Sequence, residues 1–180
     1  MSEGSVEIVG RQSIGRGSLV ELEELTVRSG GGDEFTRDVV NHPGGVAILA
    51  IEAGSVWLIR QHRVAVGGDI DEIPAGTLDR EDPDHESAAR RELLEELGAT
   101  AGRLSHLATM APSPGYTSEV IEIFLAEDLE FGERSPDGEE EQHATVFSMP
   151  VAEALDRIDR GELTDAKTLV ALLQWNRRQG

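Results

Sequence analysis

The sequence predicts an α/β fold, a mixed sheet covered by helices. The first observation behind this is a series of short apolar runs bounded by turn residues over the first 63 positions. The second is one well-delimited helix in the middle of the chain, and the third is a pair of helical patterns at the C-terminal end, an order of elements that suits a sheet with helices packed on it. At 180 residues and 38% hydrophobic content the chain can build a core of its own, and it contains no internal repeat, low-complexity tail or long linker.

Residues 1–28 alternate weakly through Val6, Ile8, Leu19, Leu22, Leu25 and Val27, predicting short strands joined by a tight turn, and they end in the turn cluster Ser29-Gly30-Gly31-Gly32-Asp33. Residues 35–41 read as another strand before the breaker His42-Pro43-Gly44-Gly45. Val46 to Ile51 is an apolar run of strand length, and Ala53-Gly54-Ser55 is a hairpin turn leading into the strand Val56 to Ile59 with its polar continuation Arg60-Gln61-His62-Arg63. Glu72 to Gly76 reads as irregular. A helix is expected over about 83–97, with Asp82 as N-cap, Pro83 at the first helical position and Gly98 just past the end. Leu104–Met110 and Val120–Ala126 read as strands around a loop with two prolines, 127–142 as an acidic loop, 143–149 as a last strand, and 151–160 and 164–178 as helices.

The formal net charge is −19, which disfavours unaided binding to nucleic acid or an anionic membrane. Residues 69–96 and 119–141 hold −17 of it, in under a third of the chain. With no cysteine, disulfides, thiolate metal sites and thiol catalysis are excluded. The N-terminus carries no basic-then-apolar leader, and no apolar run approaches membrane-spanning length, so a soluble cytoplasmic protein is expected.

Spacing decides what the acid is for. On the predicted helix Glu92, Glu95 and Glu96 stand at i, i+3 and i+4, so their carboxylates share a face, while Ala89, Leu93 and Leu97 form the apolar face. An exposed, salt-bridged helix has this pattern; so does a Mg²⁺ site, since that hard cation takes a few carboxylates and fills its remaining positions with water and phosphate. His85 lacks a second His or Cys at ligand spacing and reads as a surface residue.

Gly76 followed by Arg91-Glu92-Leu93-Leu94-Glu95-Glu96-Leu97-Gly98-Ala99 closely resembles the Nudix box. The C-terminal half matches at every fixed position. The N-terminal half is one residue longer, which brings Asp82 to the place of the first glutamate, with Glu81 beside it. Asn41 to Ala47, Arg60 to Arg63, Glu72 to Gly76, Ser113 to Glu119 and the proline at Pro114 are similar to the ADP-ribose pyrophosphatase branch of that family. The resemblance implies an α/β/α sandwich around a mixed sheet and division into an N-terminal strand region at 1–41 and a hydrolase domain at 42–180. It also implies a homodimer in which the N-terminal strands contribute to the partner's site, and Mg²⁺-dependent hydrolysis of ADP-ribose to AMP and ribose 5-phosphate, with Mn²⁺ as a substitute ion.

It further implies the site residues. Glu92 and Glu96 are the main metal ligands, Glu95 a third ligand or a supporting acid, and the Ala75 carbonyl a backbone ligand. Arg91 orients the glutamates. The base comes from the acidic loop, Glu141 first and Glu139 second, with Glu141 also reaching the metal. Arg37 and Arg63 are expected to contact phosphate or adenine, or else to form interface salt bridges. Glu72 and Glu119 are expected at ribose hydroxyls or the adenine amine, and Tyr116 at the terminal ribose; Trp57 and Phe124 read as core. Three readings compete with this one: a hydrolase of another nucleotide sugar such as GDP-mannose, a catalytically silent nucleotide-binding sensor, and an acidic cation buffer.

Overall fold

The structure, a computed structural model, describes residues 6–135 and 142–180. The chain forms two units: residues 1–44 with 111–120, and residues 45–110 with 121–180. In the first, β1 (Val6–Arg16), β2 (Glu21–Ser29) and β3 (Glu34–Asn41) form an antiparallel sheet in that order. Gly32, at φ 93°, supplies the left-handed residue that the turn between β2 and β3 needs. Residues 111–120 belong to this unit through a bridge between Val40 and Thr117 and a bond from the Val40 N–H to the Tyr116 carbonyl at 2.7 Å.

The second unit holds β4 (Gly45–Glu52), β5 (Ser55–Arg63), β6 (Gly68–Glu72), β7 (Ala75–Thr77), β8 (Ala99–Met110), β9 (Ile121–Phe131) and β10 (Thr145–Pro150). The strand order is β10-β5-β4-β9-β8, with β6 on β5 and β7 on β4. β4 and β9 run parallel and the other pairs antiparallel, so the sheet is mixed. The apolar run in β4 is explained by burial on both sides. Ala47, Leu49 and Ile51 face a core shared with Ala154, Ala171 and Leu172 of α2 (Val151–Asp159) and α3 (Ala166–Gln179). Val46, Ile48 and Ala50 face the other core, shared with Ala88, Ala89, Leu93 and Leu97 of α1 (His85–Leu97). Helices thus cover both faces, as an α/β/α sandwich requires. Leu93 is fully buried, and truncating it to alanine is expected to cost about 2 to 5 kcal/mol.

Several boundaries differ from the expectation. The N-cap of α1 is Asp84, whose carboxylate accepts from the Ser87 N–H at 2.7 Å, and the helix starts at His85. Asp82 is engaged elsewhere, accepting from the Asp79 N–H at 2.9 Å and from Arg91. The segment read as irregular is largely strand, with Ile73 and Pro74 alone lying between β6 and β7. β9 runs through Phe131, five residues into the expected acidic loop, because Leu129 and Phe131 keep the strand alternation and Glu127 meets Arg103 across the pair at 2.9 Å. Trp57 packs its ring on Phe131 at 4.6 Å, and Phe124 is buried, in keeping with a core role for both. No helix among the described residues is long and apolar enough to cross a membrane.

Candidate active site

The helix α1 presents its acids where β7 passes beneath it. Glu92 and Glu96 are almost completely buried, at 4% and 3% exposure, which is rare for carboxylates unless they are bonded or hold a cation. Glu96 accepts from the Ala75 N–H at 2.8 Å. The Glu92 carboxylate lies directly over the Gly76 Cα: a Cβ at that position would stand 1.9 Å from its Oε1. Both carboxylates therefore converge on the Ala75-Gly76 step, and glycine is required there by close approach, not by its backbone angles.

Arg91 organises this corner. Its Nη1 donates to Glu92 Oε1 at 2.7 Å and to Glu95 Oε2 at 2.9 Å, and its Nε and Nη2 grip Asp82 at 3.2 and 2.9 Å. The hydrogen bond to Asp82, together with the charge of Glu92, raises the guanidinium further above its ordinary value, while burial opposes this. Arg91 in turn holds the Asp82 carboxyl below the usual carboxylate range. Asp82 thus takes up the partner role at the place of the first box glutamate counted from Gly76, with one more residue between it and Arg91 than the pattern has. The charge of the guanidinium also offsets the repulsion expected between glutamates three and four residues apart.

The neighbouring strands carry a second polar cluster. Arg63 donates to both oxygens of Glu72, at 2.8 and 3.1 Å, and Lys167 at the start of α3 donates to Glu72 as well. Both oxygens of the buried Glu72 are thus committed within the chain, a long-range pairing with Lys167 that no local pattern announces. Beside it Asp71 accepts from Arg60 at 2.7 Å and Arg157 at 2.8 Å. Burial pushes the Asp71 carboxyl up, and the bonds from Arg60 and Arg157 more than reverse this, leaving it below the ordinary range.

The remaining expected residues lie in the first unit. Arg37 stacks its guanidinium over the Phe35 ring at 4.4 Å and donates to the Thr36 carbonyl at 2.8 Å. Tyr116 is exposed in the 111–120 segment, and the Glu119 carboxylate lies 3.8 Å from His42 Nδ1. Glu139 and Glu141 fall outside the described residues. The chain leading there is anchored to α1: the Gly132 N–H donates to the Gly98 carbonyl at 2.6 Å, and a Cβ on Gly98, whose φ is 65°, would meet backbone atoms of Gly132, Glu133 and Arg134 at 2.9 Å.

A divalent cation suits this corner. Among the described residues no three His, Asp or Glu side chains form a complete metal cage. The donor set offered is two buried carboxylates and a carbonyl. The register Ala47 opposite Ala75, with the Ile48 N–H on the Pro74 carbonyl at 2.8 Å, makes Ala75 a non-hydrogen-bonded position, so its own N–H and C=O point away from β4. Few protein oxygens with room for water and phosphate is what Mg²⁺ prefers.

A two-sided α/β/α sandwich with a buried glutamate pair on a helix over a glycine strand is the architecture of a Nudix protein, and the NUDIX domain model matches residues 41–172. The chain belongs to the Nudix family. It is 34% identical over 166 residues to the ADP-ribose pyrophosphatase of Bacillus subtilis (strain 168), covering 91% of this chain and 89% of that one. To the ADP-ribose pyrophosphatase of Mycobacterium tuberculosis it is 34% identical over 175 residues, 96% and 84% of the two chains. It is 35% identical over 158 residues to the GDP-mannose pyrophosphatase of Cronobacter sakazakii, 83% and 82% of the two. In fold it resembles a crystal structure of an ADP compounds hydrolase, with a TM-score of 0.84, 24% identity, and coverage of 100% of this chain and 98% of that one.

Proposed function

We propose that the protein hydrolyses the pyrophosphate bond of ADP-ribose to AMP and ribose 5-phosphate with Mg²⁺, for which Mn²⁺ substitutes. The observation that carries this reading is the convergence of the buried Glu92 and Glu96 carboxylates on Ala75-Gly76. Full-length similarity to two ADP-ribose pyrophosphatases supports the substrate.

Glu92, Glu96 and the Ala75 carbonyl hold the cation, with Glu95 alongside. When bound, the ion neutralises phosphate charge and polarises the phosphoryl oxygens, which a chain of net charge −19 otherwise repels. Arg91 fixes Glu92 and Glu95, and Asp82 fixes Arg91. A glutamate of the segment 136–141, Glu141 ahead of Glu139, takes the proton of the attacking water. The water oxygen bonds to phosphorus as the bridging P–O bond breaks, giving AMP and ribose 5-phosphate. Arg37, Arg63, Glu72, Tyr116 and Glu119 are assigned to substrate. The strand region 1–41 serves dimerisation and reaches the partner's site, while 42–180 is the hydrolase domain of a cytoplasmic homodimer.

The similarity to a GDP-mannose pyrophosphatase favours a second reading in which that nucleotide sugar is preferred. Phosphatase-coupled phosphate release over a panel of nucleoside diphosphate compounds decides between them. ADP-ribose is expected among the best substrates by kcat/KM; a clear preference for GDP-mannose would move the specificity to the second reading, and nucleotide binding with no turnover of any member would leave a silent sensor.

A further inference from the structure

We propose that Thr168, on the first turn of α3, is a positioning residue that sets the aim of the Ala75 carbonyl, and so tunes cation affinity from outside the Nudix box. The inference rests on the assignment of that carbonyl as a metal ligand. The Glu72–Thr77 strap crosses from β6 to β7 through Ile73 and Pro74, which belong to neither strand. Pro74 has no N–H, so between Glu72 and Gly76 the amide donors are those of Ile73 and Ala75. Each is taken by a side chain from a different helix: Ile73 N–H donates to Thr168 Oγ1 at 2.9 Å, and Ala75 N–H donates to Glu96 at 2.8 Å. Between them the Pro74 carbonyl accepts from Ile48 of β4 at 2.8 Å.

The Thr168 clamp is built to be stiff. The side chain is completely buried, and its hydroxyl can accept from Ile73 because its own proton goes to Asp165 Oδ2 at 2.6 Å. Asp165 is the N-cap of α3, accepting from the Thr168 N–H at 2.9 Å, so the relay from carboxylate to hydroxyl to strap is fixed to a helix end. Lys167, the adjacent residue, holds Glu72 at the start of the same strap. The first turn of α3 thereby grips backbone and side chain two and three residues from the carbonyl, while the box helix grips the other side.

The test compares wild type, Thr168→Val, Thr168→Ser and Leu172→Ala as full-length proteins. Leu172 is a fully buried core residue of α3 with no part in the relay, so it reports loss of packing alone. Three readouts are taken: hydrogen exchange of the Ile73 amide without metal, Mn²⁺ dissociation constant by electron paramagnetic resonance without nucleotide, and kcat and KM for ADP-ribose. Thr168→Val is expected to speed Ile73 exchange, weaken Mn²⁺ about tenfold and lower kcat about tenfold with KM for ADP-ribose within about twofold. Thr168→Ser restores all three, and Leu172→Ala lowers Tm while leaving Mn²⁺ affinity unchanged. Should Thr168→Val not fold, Thr168→Ala removes the same hydroxyl. Unchanged Mn²⁺ affinity with a freely exchanging Ile73 amide, or an equal loss in Leu172→Ala, overturns the proposal. If the wild type turns over no ADP-ribose but Mn²⁺ affinity responds as expected, the substrate reading falls and the positioning role stands.

Discussion

Substituting Gly76 by alanine separates chemistry from stability in this protein. The added Cβ would lie 1.9 Å from Glu92 Oε1, 2.0 Å from its Cδ and 2.4 Å from Oε2. Ordinary contact begins near 3.4 Å, so the carboxylate must retreat by about 1.5 Å, which also breaks its bond from Arg91. The atoms struck are the end of a flexible side chain, and Gly76 is not among the residues of positive φ, so the backbone accepts alanine. Overpacking of this kind costs about 1 to 3 kcal/mol, partly offset by the smaller unfolded-state entropy of alanine. A misplacement of about 1 Å at a catalytic centre, by contrast, can cost about 100-fold in rate, or about 2.7 kcal/mol of barrier. Gly76→Ala is therefore expected to melt within a few degrees of wild type while kcat/KM for ADP-ribose, read by phosphatase-coupled phosphate release, drops by about two orders of magnitude and the Mg²⁺ requirement rises. Activity within threefold of wild type at an unchanged Tm would refute the claim that the close approach of Glu92 to Gly76 serves catalysis. A collapse of the fold would show that the backbone, not the glutamate, absorbs the clash.

Glu96→Gln keeps an oxygen for the Ala75 N–H and is expected to fold normally, with kcat reduced by orders of magnitude in the same assay; unchanged turnover would remove Glu96 from the metal site. Glu141→Gln is expected to lower kcat more than Glu139→Gln, and a reversed order under saturating substrate would pass the base role to Glu139. Asp71→Asn strands Arg157 and is expected to cost about 3 kcal/mol at pH 7 by urea denaturation. Because the folded Asp71 carboxyl lies below its unfolded value, its contribution is present above about pH 4 and is lost as pH falls through the folded value, so the gap between Asp71→Asn and wild type should narrow at pH 3. A gap independent of pH would locate the loss in packing.

The parts of the fold that were legible in the sequence are those whose signals are local. β4 is legible from its unbroken apolar run, and α1 from the helical spacing of its acids and of Ala89, Leu93 and Leu97; the structure buries Glu92 and Glu96 beside those apolar residues and not on a separate, exposed face. The helix start is not legible, because Asp82 and Asp84 are equally good caps in sequence and only the demand of Arg91 on Asp82 distinguishes them. The end of β9 was hidden because a count of charges outweighs two apolar residues at alternate positions. At the site, spacing brings the glutamates to one side of the helix, and the resemblance to the Nudix box singles out Glu92, Glu96 and Arg91 among them. The partners of Glu72 and Ile73 could not, since Lys167 and Thr168 lie 95 residues further along the chain and resemble any other residues of a helix start. Nor does local pattern say that residues 111–120 join the N-terminal strands.

The junction at Gly98 bears on how such an enzyme can diversify. The residue that ends α1, the helix of Glu92 and Glu96, is also the mooring for Gly132, from which the chain departs toward its acidic segment. The end of α1 and the Gly132–Arg134 backbone thus share one fixed point. A change of chain length beyond Arg134 leaves this joint and the Glu92 and Glu96 carboxylates in place, whereas any side chain at Gly98 must push on the backbone of Gly132, Glu133 and Arg134. Sequence and length are free to drift on one side of this joint while the geometry of the buried glutamates is held constant on the other.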